Sequence, residues 1–214
     1  MKHSNIRTLS LFILIIFCPF EHYSQVQTSK ALKIVPLVAD REDVVSSGNG
    51  HFQDTIIKAK FFRDMRGRTR TEFGNKIVIS DPVLKQSYAL NTDSKTAVIS
   101  DFSQANRSSV SNPKAQAPPA KVTKRSLGKK LIEGILCEGE EMASTYSFTL
   151  HNGVNETIEM KSETWFSEKL VMPLVTNNYN SKQGRHLQIY KNIKVGTNPD
   201  TSFFQIPKEY RIIR

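Results

Sequence analysis

A chain of 214 residues with formal charge +10, 38% hydrophobic residues and twelve phenylalanines has the apolar material for a real core and too much for global disorder. Its length fits one domain behind a short leader. The basic excess draws such a protein to anionic lipid, acidic polysaccharide or nucleic acid, and the N-terminus decides among these.

Lys2 and Arg7 precede an apolar stretch, Leu9 to Phe20, broken only by Ser10, Cys18 and Pro19. That is the layout of a secretory signal, and Leu9 to Phe17 falls far short of the ~20 apolar residues that cross a bilayer. Cleavage is expected after Ser24, with Ala31 the alternative; the bulky Ile16 and Phe17 argue against acylation of Cys18. The mature chain would then be periplasmic or secreted. Its charge is about +9, from 30 basic residues less two and 20 acidic residues less one. Export removes cellular nucleic acid as a partner and leaves lipid, lipoprotein, an envelope protein or a membrane surface. Cys137 alone survives cleavage, so no intrachain disulfide is available. Its place in the apolar run Leu131 to Cys137 suits a buried, inert thiol.

Residues 25–50 read as partly helical or irregular. Lys30 to Val45 is the one stretch compatible with a longer helix, and Pro36 weakens it. From Asp54 the apolar period is two, as for strands with one buried face. Ile57, Ala59 and Phe61 share a side opposite Lys58 and Lys60, and a turn at Gly67 leads into Arg68, Arg70 and Glu72. Strands follow at Lys76 to Ser80, Gln86 to Leu90 and Thr96 to Asp101, with Asp81-Pro82 and Asn91 to Ser94 supplying turns.

Ser103 to Lys124 is polar and proline-containing and reads as a flexible, disordered loop inside the β domain that spans residues 51–214. Beyond Leu131 to Cys137, Met142, Tyr146, Phe148 and Leu150 alternate with Thr145, Ser147 and Thr149, and Asn152-Gly153 turns the chain. Thr157 to Phe166 forms the next strand, with Trp165 and Phe166 on opposite faces. A late strand runs from Leu187 to Val195. Asn198 to Pro207 predicts a short helical turn that lays Phe203 or Phe204 on the sheet. The fold class is therefore mainly β: a single curved antiparallel sheet, half-barrel-like, with few short helices and a disordered insertion.

Several segments carry a resemblance. Arg63-Asp64-Met65-Arg66-Gly67-Arg68-Thr69-Arg70-Thr71-Glu72, the Asp81-Pro82 turn, Tyr88 and Leu90 resemble a family of exported bacterial proteins of unknown function. So do Leu127-Gly128 with Ile132-Glu133-Gly134 and Glu138-Gly139, then Ser162-Glu163-Thr164-Trp165-Phe166-Ser167, then Pro199-Asp200 with Phe204, Pro207 and Tyr210. The layout is also similar to the LolA-like lipoprotein-carrier superfamily, which implies a curved half-barrel around a hydrophobic cavity. The carrier's closing helices have no counterpart, since the polar Ser103 to Lys124 stands in the position of its internal lid. The resemblance implies no catalytic residue.

Arg63, Arg68 and Arg70 are the candidates for an anion or surface site, since alternate arginines can converge on a phosphate or carboxylate. The bland alternative is a charged face that deters aggregation. Met142, Tyr146, Phe148 and Trp165 are the candidate ligand-lining residues, with core filling the bland reading for Trp165 and Tyr190. The sequence has no metal-ligand spacing around His51, His151 or His186, no nucleophile elbow and no phosphate-binding glycine loop, so it calls for no metal or cofactor. It reads as a noncatalytic binding protein for a lipid, lipoprotein or other apolar ligand. An envelope sensor or interaction module, and an enzyme of unrecognised chemistry, are the competing classes.

Overall fold

The computed structural model describes residues 33–47, 54–102, 121–149 and 153–213. Twelve strands form one sheet: β1 Leu37–Ser47, β2 Thr55–Arg63, β3 Thr69–Phe73, β4 Lys76–Asp81, β5 Gln86–Asn91, β6 Thr96–Asp101, β7 Lys121–Ile132, β8 Ile135–Thr149, β9 Asn155–Ser167, β10 Met172–Asn180, β11 Gly184–Val195 and β12 Arg211–Ile213. Their order is β12-β6-β5-β4-β3-β2-β1-β11-β10-β9-β8-β7, an open, curled sheet with β12 and β7 at its edges. Every pairing is antiparallel except β12 on β6, which is parallel.

The centre is β1, where a helix was the expectation for Lys30 to Val45. Leu37 and Ala39 are buried and the strand pairs on both sides, with β2 and β11. Its charged run, Asp40-Arg41-Glu42-Asp43, suits a helix surface but is matched here residue by residue. Asp40 meets Lys60 and Asn192, Arg41 meets Asp43, Glu42 meets Lys191, and Asp43 also meets His186. Partners on β2 and β11, with the Arg41–Asp43 pair within β1, thus supply what water gives an exposed helix face.

The expected hairpins β2–β3, β4–β5 and β5–β6 form in register. The side chains of Asp81 and Asn91 close the turns: Asp81 Oδ1 accepts from the backbone of Val83 and Leu84, and Asn91 Oδ1 from Asp93 and Ser94. The apolar run around Cys137 is folded in two. Glu133 and Gly134, at φ 52° and 74°, make a two-residue turn between β7 and β8. Lys121 to Lys124, placed by the sequence in the flexible loop, open β7; residues 103–120, Leu150 and Asn152 lie outside the described residues, as does the expected signal.

Two apolar clusters hold the sheet. The first joins Leu37, Phe61, Cys137, Trp165, Leu174 and Tyr190, with Leu170 from the β9–β10 turn. Phe61 and Tyr190 meet edge to face, 5.0 Å between centroids. The second joins Ile77, Ile79, Leu90 and Ala97 with Phe204, delivered by a 3-10 turn over Thr201–Phe204 that Asp200 caps through Ser202 N–H. Both aromatics reach the sheet: Phe204 is buried in this cluster and Phe203 packs on Phe62 of β2, 5.3 Å between centroids.

Gly139 lies opposite Trp165, and a Cβ built there would stand 2.6–2.8 Å from three ring carbons. Gly139→Ala should therefore cost about 1–3 kcal/mol, because the indole has no room to retreat within the core. A urea midpoint unchanged by the substitution would mean that the ring does not pack on this glycine.

Candidate functional site

Arg63 ends β2 and Arg68 and Arg70 border or enter β3, and alternation divides them. Arg63 is opposite Thr69 whereas Arg70 is opposite Phe62, so the two project from opposite faces. Arg63 is buried and donates to the carbonyls of Val35, at 2.8 and 3.1 Å, and Leu170, at 2.6 Å. Burial pulls its pKa below the usual arginine value. On the other face Arg68 Nε donates to Asp64 Oδ2 at 2.7 Å, and its guanidinium lies over the Phe204 ring. Nη2 lies 2.7 Å from the same carboxylate oxygen, off the line of a hydrogen bond. Arg70 pairs with Glu72, donates to the Phe203 carbonyl and stacks on the Phe203 ring.

The arginines therefore do not converge on one external anion. They engage the chain's own carbonyls, carboxylates and aromatic faces, tying the β2–β3 turn to the N-terminal lead-in, the β9–β10 turn and the C-terminal 3-10 turn.

The ligand-lining candidates also divide. Trp165 is buried in the first cluster, donates through Nε1 to Glu163 at 2.6 Å, and has Lys130 Nζ 3.6 Å from its ring centroid. It shares the face of Gly139, whereas Met142, Tyr146 and Phe148 occupy the alternate positions of β8. Those three are half-buried. Register adds neighbours on their face: Val122 on β7 through Ser144, and Ile158 and Met160 on β9 opposite Tyr146 and Ser144.

Followed across the sheet, Met142 opposes Ser162, Ser162 opposes Asn178, and Asn178 opposes His186. This face thus passes from an apolar strip on β7–β9 to a polar row on β9–β11. Ser162 Oγ donates to Asn178 Oδ1 at 2.7 Å, and Gln188 Nε2 to the Tyr190 hydroxyl at 2.9 Å. Asp43 binds Arg41 through both oxygens and lies 3.1 Å from His186 Nε2. Sequence reasoning missed this row because β10 was unmarked: Pro173, Asn177, Asn178 and Asn180 disguise a strand whose proline sits at a bulge.

Elsewhere, β1, β2 and β11 border a notch of about 360 Å³ lined by Val38, Ala39, Asp40, Lys60, Asn192 and Lys194. Lys60, then Asn192, hold the Asp40 carboxyl below its usual pKa. Cys137 is buried, and burial pushes its thiol up, away from the reactive thiolate. Among the described residues no group of three or more His, Cys, Asp and Glu is placed to hold a metal ion.

No protein-family model and no curated protein matches the sequence. Solved structures do. MucB is similar with a TM-score of 0.40 at 10% identity, over 84% of this chain and 60% of MucB, so the chain spans about three-fifths of that protein. A putative outer membrane lipoprotein-sorting protein domain from Vibrio parahaemolyticus gives 0.36 at 10% identity, over 78% and 88%. A LolA superfamily protein from Nitrosomonas europaea gives 0.30 at 10% identity, over 82% and 92%. Likenesses this distant assign no role to any residue here.

Two expectations follow from the charged pairs. Removing the cation in Arg68→Met strands the buried Asp64 carboxylate and should cost about 3–5 kcal/mol, whereas Lys124→Met, at an exposed pair with Glu140, should cost less than about 1 kcal/mol. Equal unfolding midpoints for the two variants would contradict the buried clamp. For Asp43, burial raises the pKa, but hydrogen bonds from His186 and Arg41 outweigh it, and the folded value lies below the ordinary one. Its stabilisation is thus complete above the unfolded carboxyl value of about 3.9 and is lost as pH falls through the lower folded value. Asp43→Asn should flatten the fall in stability below about pH 4, and an unchanged acid limb would show that Asp43 does not drive it.

Proposed function

We propose that the protein is a noncatalytic exported binding protein whose β7–β9 face takes a lipid, a lipoprotein acyl chain or a comparable amphipathic ligand. One observation carries the reading: register gathers Met142, Tyr146 and Phe148 with Val122, Ile158 and Met160 on one face, beside the polar row Ser162, Asn178 and His186. Met160 and Val122 are more than 40% exposed, so the strip is not closed by core packing. An apolar strip bordering fixed polar groups suits a ligand with a chain and a head. The basic mature chain favours a negative head, and the sequence's export signature supports an encounter in the cell envelope.

Native mass spectrometry of the purified protein should show copurified lipid, and a fluorescent fatty acid should be taken up. Phe148→Asp or Tyr146→Asp should weaken uptake about tenfold or more, since each removes an apolar contact worth ~1.5–3 kcal/mol and adds a repelling charge. Neither copurified lipid nor uptake, or uptake indifferent to both substitutions, would defeat the reading.

A further inference from the structure

At one end of the sheet the β2–β3 and β4–β5 turns stand side by side, because Thr69 and Ser80 at their bases are paired. The N-terminal lead-in and Pro82 of the β4–β5 turn both pack against Gly67 of the β2–β3 turn. A Cβ built at Gly67 would stand 2.8 Å from Ile34 Cδ1 and 3.6 Å from Pro82 Cγ. This rim presents Met65, Val83 and Leu84 at 64%, 59% and 58% exposure, and Ile34 at 36%.

The tips are built, not loose. Asp64 Oδ1 accepts from the backbone of Arg66 and Arg68, and Asp81 Oδ1 from that of Val83 and Leu84. Both aspartates are buried, so the acid charge faces inward. Lys33, Arg66 and Lys85 are exposed around the tips. Lys169 is exposed in the β9–β10 turn, whose Leu170 carbonyl Arg63 holds; Glu168 beside it acts on Lys129.

We infer that this rim docks on an anionic phospholipid bilayer, with Met65, Val83 and Leu84 entering the interface and the cations meeting the headgroups. Scattered exposed apolar residues are ordinary, but several on adjoining turns among four exposed cations, against the two exposed anions Asp101 and Glu168, are what interfacial insertion needs. Protruding tips also suit a fluid surface better than a protein partner, which needs a matching concavity. The inference is independent of the ligand strip on β7–β9.

The test uses the full chain with Leu84→Trp, and with Ile56→Trp, 58% exposed at the opposite end of β2, as control. Trp165 is buried and supplies a constant background. With vesicles containing brominated phosphatidylglycerol, emission of the Leu84→Trp protein should be quenched severalfold more than that of wild type or Ile56→Trp, and added salt should reduce the effect. Quenching no greater than in Ile56→Trp would overturn the inference, including the case in which residues 1–32 alone hold the chain on the vesicle or the rim meets a protein instead. Equal quenching by brominated phosphatidylcholine vesicles would overturn the role of the cations.

Discussion

The arginines that flank the β2–β3 turn hold together parts of the chain that strand pairing leaves apart. Arg63 reaches Leu170 and Val35 on one face, and Arg68 and Arg70 reach Phe204 and Phe203 on the other. A buried guanidinium costs less the more of its donors are matched, and this shapes the surroundings even though Arg68 Nη2 makes no hydrogen bond. Asp64 must sit beneath the turn, the β9–β10 turn must offer its carbonyl, and the C-terminal segment must lie across the second face. The Arg-Asp-x-x-Gly-Arg-x-Arg-x-Glu segment is therefore a structural clamp.

The two halves of the sheet are also covered differently. From β2 to β6 the core side is covered by the protein's own C-terminal residues, with Phe204 sealing Ile79 and Leu90. From β7 to β9 the strip around Tyr146 and Phe148 keeps part of its area in solvent. Between them β1 and β11 carry Asp43, Arg41, His186 and Gln188, a satisfied polar belt that pins the register of the central strands. A slip of one residue would bury the opposite set and leave these charges unmatched.

What was legible in the sequence was local. The β2 to β6 meander announces itself because alternation and turn chemistry lie within a few residues, as with Asp81 and Asn91. The strand β1 was hidden because Asp40 to Asp43 finds its partners on β2 and β11, and β10 because Pro173 is accommodated by a bulge that only the paired fold reveals. The candidate site was half legible. Met142, Tyr146 and Phe148 share a face as their spacing requires, but Trp165 belongs to the core because Gly139 leaves it a slot. The arginines misled most, since their spacing shows that Arg68 and Arg70 share a face but not that Phe203, 133 residues from Arg70, occupies it.

The same separation bears on when the protein can fold. Phe203, Phe204 and the parallel strand β12 come from the last residues of the chain, yet they complete a layer begun by β2 to β6. The second cluster cannot close until Phe204 has joined Ile77, Ile79, Leu90 and Ala97. Contacts of such long range favour slow, late closure. The residues that lock this layer therefore engage only after the β2 to β6 meander is in place.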